Sequence, residues 1–333
     1  MIYTARMNDK KSRYLYETIW GSPLFDFPTE KTIVNGLPSE NSYTLTGVDT
    51  PDEDICAERL ADIFGIDNKA LFRSKLHSAC SGDGQEIKRI GTLHSSALCA
   101  LLFFYNVTPE HPLILDVNGK SCIFTHSVFE FQNKVINNPS NMDITLVGRY
   151  ADTDKPVILF LESKFSEYMS KSKSLWIAEA YLHNKYSKDI YNQLDKTGIT
   201  IDNDIVKGKF SIKSDNFCYL EGIKQMISHF VGVNNFIDGH FVIRDEVVLK
   251  ARESADIYLG AILFDKGIGN FEAQKDITCY QAYKEKYEKL ADLLNTSGRP
   301  VHVIRQLFSY TMFENSDFIK EDKIKQFYFK SGK

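Results

Sequence analysis

The alternation of apolar and polar residues changes character along the chain, and each change marks a different kind of element. Up to residue 54 the sequence is rich in Asn, Pro, Ser, Thr and Asp, with turn signals at Gly36-Leu37-Pro38 and Asp49-Thr50-Pro51-Asp52. That composition predicts an irregular arm packed on the body. Apolar residues then recur at helical spacing over 55–66 and 69–80, until Ser81-Gly82-Asp83-Gly84 breaks the run. A longer helix is expected over 85–105, with Ile87, Ile90, Ala97, Leu98, Leu101 and Leu102 along one stripe. After His111 the period shortens. Segments 113–117, 122–131, 142–150 and 157–163 read as strands separated by Asn118-Gly119, Asn137-Asn138-Pro139-Ser140-Asn141 and Asp152-Thr153-Asp154-Lys155-Pro156 turns. Turns this short imply antiparallel neighbours.

Residues 165–216 are polar, dotted with aromatics and partly helical in pattern, long enough to be an insertion after the fourth strand. A helix over 219–233, strands over 241–249, 257–264 and 302–309, and a helix over 279–294 complete the pattern. The order of elements predicts an α/β fold with one mixed sheet flanked by helices. The expected organisation is an N-terminal helical extension over 1–84, a core domain over 85–310 carrying the insertion 165–216, and a basic, mobile C-terminal tail over 311–333.

Composition narrows the function classes. A chain of 333 residues with 43% hydrophobic and 25% charged content can bury a sizeable core. Its formal net charge of -4 supplies no global basic field, so contact with a nucleic acid requires a local groove. The six cysteines, Cys56, Cys80, Cys99, Cys122, Cys218 and Cys279, are widely spaced without a CxxC pair, and read as reduced, mostly buried thiols rather than zinc ligands. The first residues lack the apolar core of a signal peptide, and no stretch approaches the roughly 20 apolar residues of a membrane span. No membrane contact and a cytoplasmic location are the expectation.

The candidate chemistry lies at the end of the run Val157-Ile158-Leu159-Phe160-Leu161. Glu162 and Lys164, two residues apart on a strand, project the same way, which sets a carboxylate beside an ammonium. Asp143, opening the preceding strand, meets the end of that strand if the two form a hairpin. Two carboxylates converging on one point can hold Mg²⁺, with Mn²⁺ as an alternative, for phosphodiester hydrolysis. Acid-x-Lys spacing is common by itself, recurring at Asp9-Lys10-Lys11, Asp67-Asn68-Lys69, Glu86-Ile87-Lys88 and Glu321-Asp322-Lys323, and is usually a solvated surface feature. The strand context and Asp143 distinguish this instance.

The residues Phe129-Glu130, Asn141-Met142-Asp143 and Leu161-Glu162-Ser163-Lys164-Phe165-Ser166-Glu167-Tyr168 together resemble the bacterial restriction-endonuclease-like proteins of the PD-(D/E)xK superfamily. The resemblance runs from about residue 95 to residue 233, with Met142 where the superfamily pattern has Pro. It implies a restriction-endonuclease-like fold and a metal-dependent nuclease acting on DNA. Asp143 and Glu162 would hold the metal, and Lys164 would orient or deprotonate the attacking water. A homodimer would suit double-strand cutting. A catalytically silent nucleic-acid-binding or assembly protein on the same fold is the alternative.

Five further residues are open at this level. Glu130 either adds a carboxylate or is a surface acid at a strand end. Glu167 follows closely enough to pair with Lys164. Gln225 and His229 lie on a helix resembling the one that buttresses the site in related nucleases, or on an ordinary helix face. Glu86 is either a contributor or a helix-dipole acid. Trp176, Tyr181, Tyr186 and Tyr191, interleaved with Lys171, Lys173, Lys185 and Lys188, suit a nucleic-acid groove or an ordinary amphipathic surface.

Overall fold

The polar N-terminal arm contains regular structure in its described part, which begins at residue 27. In the computed structural model, which describes residues 27–329 apart from 35–36, 49, 81–89, 94, 137, 166, 170–171 and 267–273, β1 (Thr29–Val34) and β2 (Leu37–Leu45) form an antiparallel hairpin. Helices α1 (Glu53–Phe64) and α2 (Lys69–Cys80) follow as the apolar spacing predicts. Asp52 caps α1 by accepting the Asp54 and Ile55 N–H groups, and Gly65 ends it in the left-handed conformation.

Of the helix expected over 85–105, residues 85–89 lie outside the described residues; among the described ones Gly91, Thr92 and Leu93 are not helical, and helix α3 spans Ser96–Phe104. Just before it, Gly91 accepts the Leu45 N–H at 2.9 Å and Thr92 bridges Thr44, so this stretch pairs with β2. A Cβ on Gly91 would lie 2.6 Å from a Val48 methyl, which is why glycine stands at this contact. Ser95 then caps α3, taking the Leu98 N–H at 3.0 Å. From Leu98 to Phe104 every residue of α3 is buried, which makes it a core helix rather than an amphipathic surface one.

Against α3 lies the main sheet. β3 (Leu113–Val117), β4 (Lys120–Lys134), β5 (Pro139–Tyr150) and β6 (Pro156–Lys164) form the expected antiparallel meander. β6 is buried along almost its whole length, the behaviour of a central strand.

The chain then leaves the sheet. The insertion is built mainly from strands: β7 (Ser172–Ala178), β8 (Ile199–Val206) and β9 (Lys209–Cys218) make a separate antiparallel sheet in the order β7-β9-β8, with helical turns at Ala180–His183 and Lys188–Tyr191. Helix α4 (Leu220–Ile237) packs on β4 and β5 of the main sheet and on β7 of the insertion.

The strand expected over 241–249 is a correction. It begins as a single bridge between Phe241 and Asn133, then Asp245 accepts the Val248 N–H at 3.0 Å and caps α5 (Glu246–Arg252). An acidic cap outweighs the alternation of Val, Ile and Leu. β10 (Asp256–Leu263) runs parallel to β6, which makes the sheet mixed. Helix α6 (Gln274–Asn295) leads to β11 (Val301–Val303) and β12 (Phe308–Ser309), two short parallel partners of β10 where one strand over 302–309 is expected. The main sheet therefore has the order β11-β10-β6-β5-β4-β3 with helices packed on it.

The basic tail is also corrected: its residues Asp322–Phe329 form helix α7, and Ile324, Phe327, Tyr328 and Phe329 are buried. Phe327 packs edge-on to Phe64, and Phe329 stacks on Phe264, so apolar content here outweighs the lysines between. The six cysteines are buried and form no disulfides with one another. Among the described residues no helix is long and apolar enough to cross a membrane.

Candidate active site

The site begins where the β5–β6 ladder ends. Pairing runs to Ile144↔Leu161, and one further step would set Asp143 against Glu162. The strands part there instead, and Asp143 Oδ2 accepts the Ser163 N–H at 2.6 Å, so a carboxylate replaces the missing backbone acceptor. Ser163 Oγ points to the other side of the sheet, donating to the Ser96 carbonyl at 3.2 Å and meeting the Tyr310 hydroxyl at 2.7 Å. Those bonds pin the end of β6 to α3. Glu162 and Lys164, alternate residues, share the opposite face, and Lys164 Nζ donates to Glu162 Oε1 at 2.5 Å.

Glu130 lies across β4 from Asp143, between the pairs Phe129↔Ile144 and Phe131↔Met142. It is not the strand-end residue that its sequence position suggests, since β4 continues to Lys134. Its φ of 51° is left-handed. A non-glycine residue in that region costs about 1–3 kcal/mol and is held only where the surroundings over-determine it, which is common at functional sites. The Glu130 side chain is buried and adds its field to that on Asp143.

Helix α4 closes the site from above through His229. Its Nδ1 bonds Ser140 Oγ, and its Nε2 stands 2.7 Å from Glu162 Oε2. The ring reaches this depth because Gly232, one turn later, lets α4 approach β4 and β5: a Cβ there would lie 3.1 Å from that of Asn133 and 3.3 Å from that of Ser140. Gln225 stands one turn earlier in the helix than His229 and accepts from the Tyr219 hydroxyl at 3.4 Å. Glu167 takes the Phe165 N–H at 2.7 Å and contributes to the negative field on Lys164. Glu86 falls outside the described residues.

These neighbours push the two carboxyls apart. Burial opposes ionisation of Glu162, but Lys164 and His229 outweigh it and hold the carboxyl at about 2. Asp143 goes the other way: burial first, then the charges of Glu162 and Glu130, raise it well above the usual carboxylate range despite Lys164 and the Ser163 amide. Lys164 is firmly cationic, because Glu162 and Asp143 overcome the desolvation that would otherwise lower it. Two acids with separated affinities beside a fixed ammonium is an arrangement that can hold a cation and move a proton.

The donor set suits a divalent ion at one point in particular. Glu162 Oε2 and His229 Nε2 are buried 2.7 Å apart, an ion pair when the ring carries a proton there, and neither is bonded elsewhere. Among the described residues no three His, Cys, Asp or Glu side chains form a ready-made metal cage. One or two carboxylates with the remaining positions filled by water is, however, a usual way to hold Mg²⁺.

The insertion departs from expectation in detail. Tyr191 is fully buried against Phe210, and Tyr186 is buried with its hydroxyl on Asp238, to which Lys185 also bonds at 3.0 Å, so both tyrosines are structural. Tyr181 is partly buried and bonds Ser228 at 2.8 Å. Trp176 stays 52% exposed, and Lys173 Nζ lies 4.8 Å from the Phe217 ring centre. Lys171 lies outside the described residues.

Sequence reasoning left His229 undecided and missed Ser140 and Gly232 altogether. Ser140 sits in a polar turn-like stretch, and nothing in its spacing distinguishes it. No family model, no curated protein and no solved structure matches the chain.

Proposed function

We propose that the protein is a metal-dependent nuclease with a restriction-endonuclease-like core, hydrolysing phosphodiester bonds in DNA. The observation that carries this reading is the convergence of Asp143, Glu162 and Lys164 where β5 and β6 part, with Glu130 across the next strand. Asp143 and Glu162 would hold a divalent cation, Mg²⁺ or Mn²⁺. Such an ion neutralises phosphate charge and makes a bound water more acidic.

The chain's own groups supply the rest. Lys164, kept cationic by its acidic neighbours, can orient the attacking water or stabilise charge developing on phosphate. Glu162 Oε1 fixes the position of that ammonium. Asp143, whose carboxyl keeps its proton more readily than a free one, can hold a proton within the site beside the ionised Glu162. The insertion follows Lys164 directly, with its first strand opening eight residues on at Ser172, and offers exposed Trp176 for base stacking and Lys173 and Lys188 for phosphate contact. With a net charge of -4 on the whole chain, a local surface of this kind must supply the attraction for DNA.

One observation favours a second reading, a nucleic-acid-binding protein without turnover: Glu130, Glu162, Lys164 and His229 are all at most 7% exposed. A phosphate reaching this site has to displace packed side chains. The test is cleavage of plasmid, linear and single-stranded DNA by wild type, Lys164→Ala and Asp143→Asn, with folding checked by circular dichroism. Divalent-dependent cleavage lost in both variants is the expected result. Retained cleavage by both refutes the nuclease site, and DNA binding with no cleavage in any cation favours the silent protein.

A further inference from the structure

Two buried atoms at the centre of the site have no partner but each other. Glu162 Oε2 and His229 Nε2 are 2.7 Å apart, an ion pair when Nε2 carries a proton. His229 Nδ1 is engaged by Ser140 Oγ. A cation can take the place of the Nε2 proton: with Nδ1 alone protonated and donating to the serine oxygen, Nε2 presents a lone pair to a carboxylate oxygen. Two lone pairs at that distance repel unless a cation lies between or beside them.

The spacing suits a shared ion. Two ligands bonded at about 2.1 Å and at right angles around one metal stand roughly 3 Å apart. A ligating histidine commonly has its other ring nitrogen held by a hydrogen bond, which fixes tautomer and orientation, and Ser140 supplies that hold here. Gly232 sets the depth of the ring by allowing α4 close to Asn133 and Ser140.

We infer that His229 is a direct ligand of the cation held by Glu162, so the site selects an ion that accepts imidazole nitrogen, Mn²⁺ in preference to Mg²⁺. This rests on the metal-dependent reading above and refines it. Imidazole suits first-row transition ions, whereas Mg²⁺ prefers an all-oxygen shell and holds its waters tightly. Mn²⁺ takes carboxylate and water as Mg²⁺ does, but as a transition ion it accepts an imidazole nitrogen in its shell more readily than Mg²⁺.

The test uses the full chain, free of metal, titrated separately with MnCl₂ and MgCl₂ by calorimetry and studied with bound Mn²⁺ by pulsed electron paramagnetic resonance. Wild type is expected to bind Mn²⁺ at least about tenfold more tightly than Mg²⁺ and to show nitrogen coupling from a directly bound imidazole. In His229→Gln the coupling disappears and Mn²⁺ affinity falls about 10–100-fold, while Mg²⁺ affinity changes little. Mn²⁺ binding without nitrogen coupling in wild type overturns the inference and leaves the carboxylate site standing. Failure of both ions to bind wild type overturns both. The coupling is read on wild type, so the result does not depend on the variant folding.

Discussion

Replacing Glu162 by Gln removes the charge on which Lys164 and His229 converge while keeping the size of the side chain. The stabilisation at stake follows from its carboxyl being held at about 2 against an ordinary 4.5. Each pKa unit is worth about 1.4 kcal/mol, so the ionised group contributes about 3 kcal/mol at neutral pH. The side chain is only 5% exposed, so solvent screens little of this. The variant also leaves Lys164 without its closest counter-charge, and breaking a buried pair from one side costs about 3–5 kcal/mol. In a chain of this size 1 kcal/mol moves the melting temperature by about 2 °C, so a fall of about 6–10 °C is expected for Glu162→Gln at pH 7 without divalent ions.

The sign of the pH dependence is fixed by the lowered carboxyl. Its stabilisation is complete above the ordinary value of 4.5 and is lost as pH falls toward 2, so the difference between wild type and Glu162→Gln narrows across that window. Calorimetric melting of both proteins from pH 7 to pH 3 measures it. A Glu162→Gln variant as stable as wild type at pH 7, or a difference that does not narrow on acidification, refutes a carboxylate held ionised by Lys164 and His229.

Asp143→Asn should act in the opposite direction. A raised carboxyl favours its neutral form in the folded state, so its stabilisation is present below the ordinary value of 3.8 and is lost as pH rises through that value toward the folded one. Asn keeps an acceptor for the Ser163 N–H and carries no charge, so without metal the variant should melt at or above wild type at pH 8; a lower melting temperature contradicts the raised carboxyl. Gly232→Val should cost about 1–3 kcal/mol by forcing α4 away from Asn133 and Ser140, and should alter the His229 ring signals in NMR; unchanged signals would remove Gly232 from the site's construction. Trp176→Ala should weaken single-stranded DNA binding by about 1–3 kcal/mol in fluorescence anisotropy at fixed salt, and undiminished affinity would locate the groove elsewhere.

Much of the core was legible because burial imposes pattern. The apolar run before Glu162 and the short turns on either side of β5 identify the meander, and period two alone puts Glu162 and Lys164 on one face. The register that brings Asp143 to Ser163 was legible only as a hairpin, since its detail depends on where the ladder stops. The break before α3 was not legible because the approach of Gly91 to Val48 and the pairing of Thr92 with Thr44 involve a segment over forty residues earlier. Over 241–249, Val, Ile and Leu look like a strand until Asp245 is seen to cap a helix.

His229 shows the limit most clearly. Its helix was predicted, but its role depends on Gly232 allowing close packing and on Ser140 waiting on β5, and neither contact leaves a periodic trace. Glu130 is similar: a left-handed φ within a strand has no signature in one sequence.

The most direct measurement is the conversion of supercoiled plasmid to nicked and linear forms by the purified full chain, in Mg²⁺, in Mn²⁺ and in EDTA. Cleavage in the divalent ions that is abolished by EDTA and by Lys164→Ala is the predicted result. Intact plasmid in both ions, from protein that is folded and binds the DNA, would contradict a nuclease built on Asp143, Glu162 and Lys164.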